Sequence, residues 1–219
     1  SRAFAAPPLR CPFMPPIPTI TKNLMLACTA VFCVQLFIPS LTAWFALYPV
    51  ASGNFMPWQV VTYAFLHGGF GHLFFNMLGL WMFGSELERL WGGRRYWHFL
   101  LAGVLSAAAA QLIFTYFTDS RVPTLGASGA LFALLLAFGM LFPDRIIMPL
   151  FPPIPMKART FVMLFGAIEL LLGSGLLDSV LGGGVSNIAH FAHLGGMVGG
   201  FLMIRYWRGQ PPFGSRRRR

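Results

Sequence analysis

The sequence predicts an all-α membrane protein with six transmembrane helices and both termini in the cytoplasm, and three observations support this fold class. The 219-residue chain is 56% hydrophobic and only 10% charged. Soluble domains are about a quarter charged, so this chain lacks the polar surface of a soluble protein. Hydropathy and helix breakers delimit six apolar stretches, and the 16 basic residues concentrate in alternate connections between them.

The apolar stretches give the predicted helices in order. They cover residues 23–42, 72–90, 96–117, 126–142, 158–176 and 187–207. Each approaches the about 20 residues that cross a bilayer core. Residues 1–22 contain six prolines and no helical period, so we predict a cytoplasmic tail there instead of a cleaved signal peptide. Residues 208–219 form a second, basic cytoplasmic tail.

The basic residues orient these helices, because cytoplasmic segments of membrane proteins are enriched in Lys and Arg. Fifteen of the 16 lie in or beside the two tails and the connections after the second and fourth stretches. The exception, Arg121, follows the third stretch. The net charge of +10 therefore reflects topology. Because the terminal Arg run suits anionic lipid and no nucleic-acid-binding signature occurs, we expect membrane lipid and no nucleic acid as a partner.

The connection between the first two stretches is unusually aromatic. Residues 44–71 are uncharged and contain eight aromatic side chains, while Pro49, Gly53 and Pro57 interrupt any long helix. Trp and Tyr are favoured at the membrane interface. We therefore predict a structured loop that lies in the interface.

Several polar side chains fall inside the apolar stretches, where such groups are costly and are candidates for function. They are His72, Asn76, Gln111, Ser128, Glu169, Ser174, Asn187, His190 and His193. The second, fourth and sixth stretches all begin on the non-cytoplasmic side. At a rise of about 1.5 Å per residue, Asn76, Ser128 and His193 should each lie about 3 to 10 Å below that face. Three helices thus bring an amide, a hydroxyl and an imidazole to one depth.

The neighbours of Ser128 and His193 suit a nucleophile and its base. Gly126, Gly129 and Ala130 surround the hydroxyl with small residues, which let a substrate backbone approach closely. The unpaired amides of a helix's first turn can also donate to an oxyanion. His193 precedes a glycine-rich run that includes Gly196, so we expect the sixth helix to approach the fourth within hydrogen-bond reach of Ser128.

Each of these residues also has an ordinary structural interpretation. The Gly-x-Ser-Gly sequence can be a helix-packing motif, and Gln111 can pair with a neighbouring helix. His190 and His193 lie one turn apart and could bind a metal, but no His-Glu-x-x-His motif occurs, so we predict neither metal nor cofactor. Glu169 is expected near the outer end of the fifth helix, where it reaches water.

Four segments together resemble the rhomboid intramembrane serine proteases, in the right order and on the right helices. They are His67–Asn76 (HGGFGHLFFN), Gly84–Gly92 (GSELERLWG), Gly126–Gly129 (GASG) and Ala192–Gly200 (AHLGGMVGG). The resemblance covers residues from about 20 to 207 and implies a rhomboid-like catalytic domain over 23–207. It further implies a six-helix core that cleaves transmembrane substrates with a Ser-His dyad, in which Ser128 is the nucleophile and His193 is the base.

The resemblance assigns further roles to residues of this chain. His72, Asn76 and the backbone N–H of Ser128 would form the oxyanion hole, and the ring of Phe132 would lie against His193. Residues 44–71 would be the membrane-embedded first loop, and 173–186 would belong to the gate and cap. Some family members have Arg where this chain has Gln59, so the polar contacts that anchor the loop in them cannot be assumed here.

A dyad requires no acidic residue, and the sequence predicts none beside His193. The acidic side chains are Glu86, Glu88, Asp119, Asp144, Glu169 and Asp178. We therefore expect packing and Ser128 itself to hold His193. Water and substrate would reach the site through a polar cavity under the 173–186 loop, lined by His72, Asn76, Ser128, His190 and His193. A helical substrate must unwind there to expose a carbonyl group.

The predicted function is thus an intramembrane serine endopeptidase that cleaves transmembrane protein substrates near the outer face of the membrane. Two alternatives stay open: a catalytically inactive rhomboid-like binding protein, and a small channel or transporter. Ser128 and His193 are both present, which disfavours the first alternative, and the lack of internal repeats disfavours the second. Without a transit-like leader, we expect a multi-pass protein of the bacterial inner membrane. The sequence specifies no oligomeric state.

Overall fold

The computed structural model describes residues 15–150, 152–174 and 190–213, and these are mainly helical. The α-helices are α1 (Thr19–Phe37), α2 (Ser40–Phe45), α3 (Gln59–Thr62), α4 (Phe70–Gly79), α5 (Ser85–Trp91), α6 (Gly93–Thr118), α7 (Ser128–Leu141), α8 (Ala158–Gly173) and α9 (His190–Trp207). Short 3₁₀ turns cover Val50–Ser52 and Tyr63–Phe65. A π-helical turn, Leu80–Gly84, joins α4 to α5. The strands β1 (Ile146–Ile147) and β2 (Met156–Lys157) form an antiparallel hairpin.

Six long helical segments coincide with the six predicted stretches, with shifted ends. The first begins at Thr19, directly after Pro18, and ends at Phe37, shortly before Pro39. Proline is well tolerated at the start of a helix but does not continue one. The fourth begins at Ser128, since Gly126 has a φ of 123° that no helix contains. Part of the sixth prediction, residues 187–189, lies outside the described residues.

Two helices of the described residues are long and apolar enough to cross a membrane by length and composition. They are Thr19–Phe37 and Gly93–Thr118, and Ser128–Leu141 is a shorter apolar helix. The mainly helical fold class is therefore observed, whereas six spans and two cytoplasmic termini stay predictions.

Contacts between connections show how the chain alternates between the two ends of the molecule. Leu47 and Thr124 exchange two backbone hydrogen bonds of 2.9 Å, which join the first connection to the one before α7. At the other end of α7, Arg145 forms an ion pair with Glu86 of α5. Alternate connections thus lie at the same end, as an up-and-down arrangement of helices requires.

The first connection is structured, and Gln59 holds it together. Its buried side chain accepts hydrogen bonds from the backbone N–H groups of Tyr48 (3.2 Å) and Met56 (3.1 Å). The same amide donates to the carbonyl groups of Trp44 (3.3 Å) and Asn54 (3.1 Å). Four backbone groups of the loop therefore depend on one neutral side chain, which supplies the polar anchoring that the sequence left open.

Glycines of α9 allow it to lie directly against two other helices. A Cβ atom at Gly196 would collide with the carbonyl oxygen of Gly129 in α7, as the sequence predicts for these two helices. On the opposite side, a Cβ atom at Gly195 would come within 2.8 Å of the carbonyl oxygen of Ser106 in α6. One at Gly199 would collide with the hydroxyl of Ser106. Contact with α6 is an addition to the predicted packing, and it fixes α9 between two neighbours.

Candidate active site

Ser128 and His193 face each other across the contact between α7 and α9. The Oγ atom of Ser128 lies 2.7 Å from Nε2 of His193, which is a short hydrogen bond. Ser128 is half-buried and His193 is buried. The close approach of Gly196 to Gly129 brings the two backbones near enough for these short side chains to meet.

Gly126 shapes the turn that precedes Ser128. Its φ of 123° lies in a region that favours glycine, and its N–H donates to the carbonyl of Tyr63 at 2.9 Å. A Cβ atom at this position would lie 2.6 Å from Cε1 and 2.7 Å from Nε2 of His72. The turn thus places Ser128 at the first position of α7, where backbone N–H groups lack helical acceptors, and lets the His72 ring approach.

His72 and Asn76 lie on one face of α4, as their four-residue spacing predicts. Asn76 is buried, and its Nδ2 donates to the carbonyl of His72 at 2.9 Å. Nδ1 of His72 accepts a hydrogen bond from the N–H of Gly68 at 3.3 Å. The structure therefore brings His72 beside the Ser128 turn, while the Asn76 amide bonds within its own helix.

Phe132 lies against the His193 ring. The two rings are stacked with centroids 4.3 Å apart and an angle of 8° between their planes. Phe132 follows Ser128 by one helical turn, so the same helix supplies the hydroxyl and the surface on which the imidazole rests. Stacking restricts rotation of His193 out of the plane that points Nε2 at Ser128.

The prediction that no acidic residue lies beside His193 is wrong. Oε2 of Glu169 lies 2.9 Å from Nδ1 of His193 and 2.6 Å from Nδ1 of His190. Glu169 is also buried, at 8% exposure, so the expectation that it reaches water at the end of its helix is wrong as well. The site therefore contains a carboxylate that a simple dyad lacks.

A signal for this contact exists in the sequence of α8. Gly166 and Gly173 lie three residues before and four residues after Glu169, on the same helical face. In the structure both approach α9: a Cβ atom at Gly166 would contact Met197 at 3.3 Å, and one at Gly173 would contact His190 at 3.1 Å. A face with two small residues indicates a close helix neighbour. The same pattern places Glu169 on the face of α8 that meets this neighbour.

Comparison with known proteins identifies the family of this chain. The family model for the rhomboid domain matches residues 54–209, which is more than half of the chain. The chain belongs to the rhomboid family. Its matched region contains Ser128, Glu169 and His193, and the family consists of integral membrane proteins.

Several other members of the rhomboid family are similar to this chain. The rhomboid protease GluP of Bacillus subtilis (strain 168) is 31% identical over 153 residues, which cover 70% of this chain and 26% of GluP. The putative rhomboid protease YdcA of the same organism is 33% identical over 157 residues, covering 70% of this chain and 68% of YdcA. RHOMBOID-like protein 12, mitochondrial, of Arabidopsis thaliana is 34% identical over 152 residues, which cover 63% of this chain and 42% of the Arabidopsis protein. This chain thus spans less than half the length of GluP and of the Arabidopsis protein.

The predicted cap loop and the possible metal ligands complete the comparison of the predicted site with the structure. Residues 175–189, which include most of the predicted cap loop and Asn187, lie outside the described residues, so the roof of the expected cavity does too. Glu169, His190 and His193 place three potential ligand atoms within 4.8 Å of one another. The three side chains thus form one cluster. The sequence indicated that the two histidines lie close together, but it did not indicate that Glu169 joins them.

Proposed function

We propose that this rhomboid protein is an intramembrane serine endopeptidase with Ser128 as the nucleophile and His193 as the base. The observation that carries the proposal is the 2.7 Å contact between Ser128 Oγ and His193 Nε2 at the first position of α7. The names of GluP and YdcA as rhomboid proteases support the same reaction class. The substrates would be transmembrane proteins, cleaved near the outer face of the membrane.

The geometry supports acyl transfer in two stages. His193 Nε2 takes the proton of Ser128 while Oγ attacks the scissile carbonyl carbon, and the carbonyl oxygen becomes an oxyanion. The protonated His193 then gives its proton to the leaving amine, and an acyl ester remains on Ser128. A water molecule gives its proton to His193 and attacks the ester. Collapse of that second intermediate releases the new carboxyl group and returns the proton to Oγ.

The oxyanion would be stabilised by donors around the start of α7. The N–H of Ser128 has no helical acceptor there, and the positive end of the helix dipole favours negative charge. The His72 ring reaches the same turn, within 2.7 Å of a Cβ position at Gly126. Asn76 completes the proposed set from one turn further along α4, by using the second N–H of its side-chain amide.

The membrane arrangement forms part of the proposal. Residues 23–207 would be the catalytic domain, with six spans and both tails, 1–22 and 208–219, in the cytoplasm. Among the relatives, bacterial proteins favour an inner-membrane location, although mitochondrial members are similar as well. The substrate would unwind locally beside Ser128, because a regular helix engages every carbonyl group.

Active-site labelling and substrate cleavage test this proposal together. We expect the purified full chain to react with a fluorophosphonate probe and to cleave a model transmembrane substrate. Ser128→Ala and His193→Ala should each reduce cleavage by at least about 10⁴-fold, since a nucleophile and its base act as one unit. Ser120→Ala, at the same end of the molecule, is the matched control and should behave like wild type.

Two outcomes would contradict the proposal. A folded wild-type chain that neither labels nor cleaves any of a panel of transmembrane substrates would be an inactive family member. Wild-type cleavage by Ser128→Ala would eliminate the proposed nucleophile.

A further inference from the structure

Glu169 is a buried carboxylate in a segment that the sequence predicts to cross the membrane. A buried charge is costly unless close partners compensate for it. Its Oε2 atom lies within 2.6 Å of His190 and 2.9 Å of His193, and both rings are themselves buried. Both contacts are made through Nδ1 atoms, so the carboxylate contacts the same edge of each imidazole.

The two nitrogens of His193 face different partners. Nδ1 faces the Glu169 carboxylate and Nε2 faces the Ser128 hydroxyl. A carboxylate only accepts hydrogen bonds, so beside it the neutral ring carries its proton on Nδ1. Nε2 then has a free lone pair directed at Oγ, which is the tautomer that a general base needs.

We propose that Glu169 is a positioning residue for His193, so that Ser128, His193 and Glu169 act in sequence during catalysis. The inference rests on the proposed function, because it assigns Glu169 a role in the same reaction. Glu169 fixes the tautomer of the ring before the reaction. During the reaction its negative charge stabilises the imidazolium that forms when His193 accepts the proton of Ser128.

The contact geometry sets the expected size of the effect. His190 makes the shorter, well-aligned hydrogen bond to Oε2, whereas the same oxygen lies off the N–H direction of His193 at 2.9 Å. His190 therefore makes the stronger contact to the carboxylate, and His193 shares the same oxygen. Neutralising the acid of a soluble triad costs about 10⁴-fold in kcat. A shared and less aligned carboxylate should cost about 10- to 100-fold.

The helix that carries Glu169 is held against α9 on both sides of it. Gly166 approaches Met197, and Gly173 approaches His190 and Phe191. Because these contacts fix the rotation of α8, Glu169 stays on the helix face that meets α9. The charge is thus supported by packing as well as by its partners.

Glu169→Gln is the central variant, because it removes the charge and keeps the size of the side chain. We expect kcat for a transmembrane substrate to fall about 10- to 100-fold, with KM changed by less than about threefold, because Glu169 contacts the base and no substrate. Fluorophosphonate labelling should slow in parallel, since it needs the activated Ser128 but no natural substrate. Glu169→Asp should recover part of kcat by restoring the carboxylate.

Two further variants separate positioning from a structural role. Glu86→Gln removes a carboxylate from an ion pair at the opposite end of the molecule, and it should leave kcat and KM unchanged. His190→Ala keeps Glu169 beside His193, and it should lower kcat less than Glu169→Gln does. All rates are divided by the active fraction, which the probe measures at saturation.

Three results would overturn the inference while leaving the proposed protease function intact. The first is a normal kcat per active molecule in Glu169→Gln, with a lowered melting temperature as its only effect. The second is the same kcat for Glu169→Asp and Glu169→Gln. The third is loss of wild-type activity on dialysis against EDTA with recovery on addition of ZnCl₂, since Glu169, His190 and His193 would then be cation ligands. If the wild-type chain itself neither labels nor cleaves, the proposed function fails instead.

Discussion

At the scale of single residues, Asn76 offers one amide for two roles. Its Nδ2 donates to the His72 carbonyl within α4. The same nitrogen carries a second N–H, which we assign to an oxyanion that forms only when Ser128 attacks. A donor used mainly in the transition state affects kcat more than KM. We therefore predict that Asn76→Ala lowers kcat about 100- to 1000-fold, as loss of an oxyanion-hole donor does in soluble proteases.

Turnover and melting temperature, measured on one detergent preparation of Asn76→Ala, decide between the two roles. Normal turnover per folded molecule with a depressed melting temperature would mean that Asn76 only ties α4 together. Gln111→Ala, a second buried amide in a helix, serves as the control for loss of a polar group in the interior. It should affect stability alone.

The residues of the candidate site were predictable to different degrees. Ser128 and His193 share a depth that follows from counting residues, and the family resemblance implied the stacking of Phe132 on His193 that the structure shows. Glu169 could not be found this way, because depth does not fix the rotation of a helix. That rotation depends on which face lies against a neighbour, and in α8 it is set by Gly166 and Gly173.

At the scale of elements, the contact between α7 and α9 has no room for a side chain at Gly196. A methyl group there would collide with the Gly129 carbonyl, which belongs to rigid helix backbone. We predict that Gly196→Ala destabilises the protein by about 1 to 3 kcal/mol, the usual cost of overpacking. Separation of the helices should also weaken the Ser128–His193 contact and lower turnover.

Gly166→Ala is the matched control for Gly196→Ala. The added methyl group at Gly166 meets only the flexible end of Met197, at 3.3 Å, and alanine favours the helix. Thermal unfolding of both variants in the same detergent gives the comparison. Equal melting temperatures would show that close approach of α7 and α9 contributes nothing to stability.

Element positions followed well from the sequence, but their partners followed only in part. The glycines after His193 predicted the contact of α9 with α7, whereas its contact with α6 went unpredicted because Ser106 and the alanines beside it give a weak signal. The first connection shows the same limit. Its aromatic composition indicated a structured loop. The four hydrogen bonds of Gln59 to backbone groups could not be predicted, because they depend on how the loop folds in three dimensions.

At the scale of the whole molecule, the direction of the chain through the membrane depends on charge. The hairpin after α7 contains Lys157 and is flanked by Arg145 and Arg159, while the connection between α6 and α7 has Arg121 as its single basic residue. The structure places these two connections at opposite ends of α7. The orientation therefore rests on the preference of Lys and Arg for the cytoplasm.

Cysteine labelling in bacterial spheroplasts tests this orientation. In a chain without Cys11, Cys28 and Cys33, we place single cysteines at Ser120, Leu150 and Phe213 and apply a membrane-impermeant maleimide. Ser120→Cys should react in spheroplasts, whereas Leu150→Cys and Phe213→Cys should react only after lysis, because the positive-inside preference places the hairpin and the C-terminal tail in the cytoplasm. Retained fluorophosphonate labelling of each variant shows that the site is intact. The reverse labelling pattern would mean that the orientation is inverted and that Ser128 lies near the cytoplasmic face. Equal protection of Ser120→Cys and Leu150→Cys would contradict the prediction that α7 crosses the membrane.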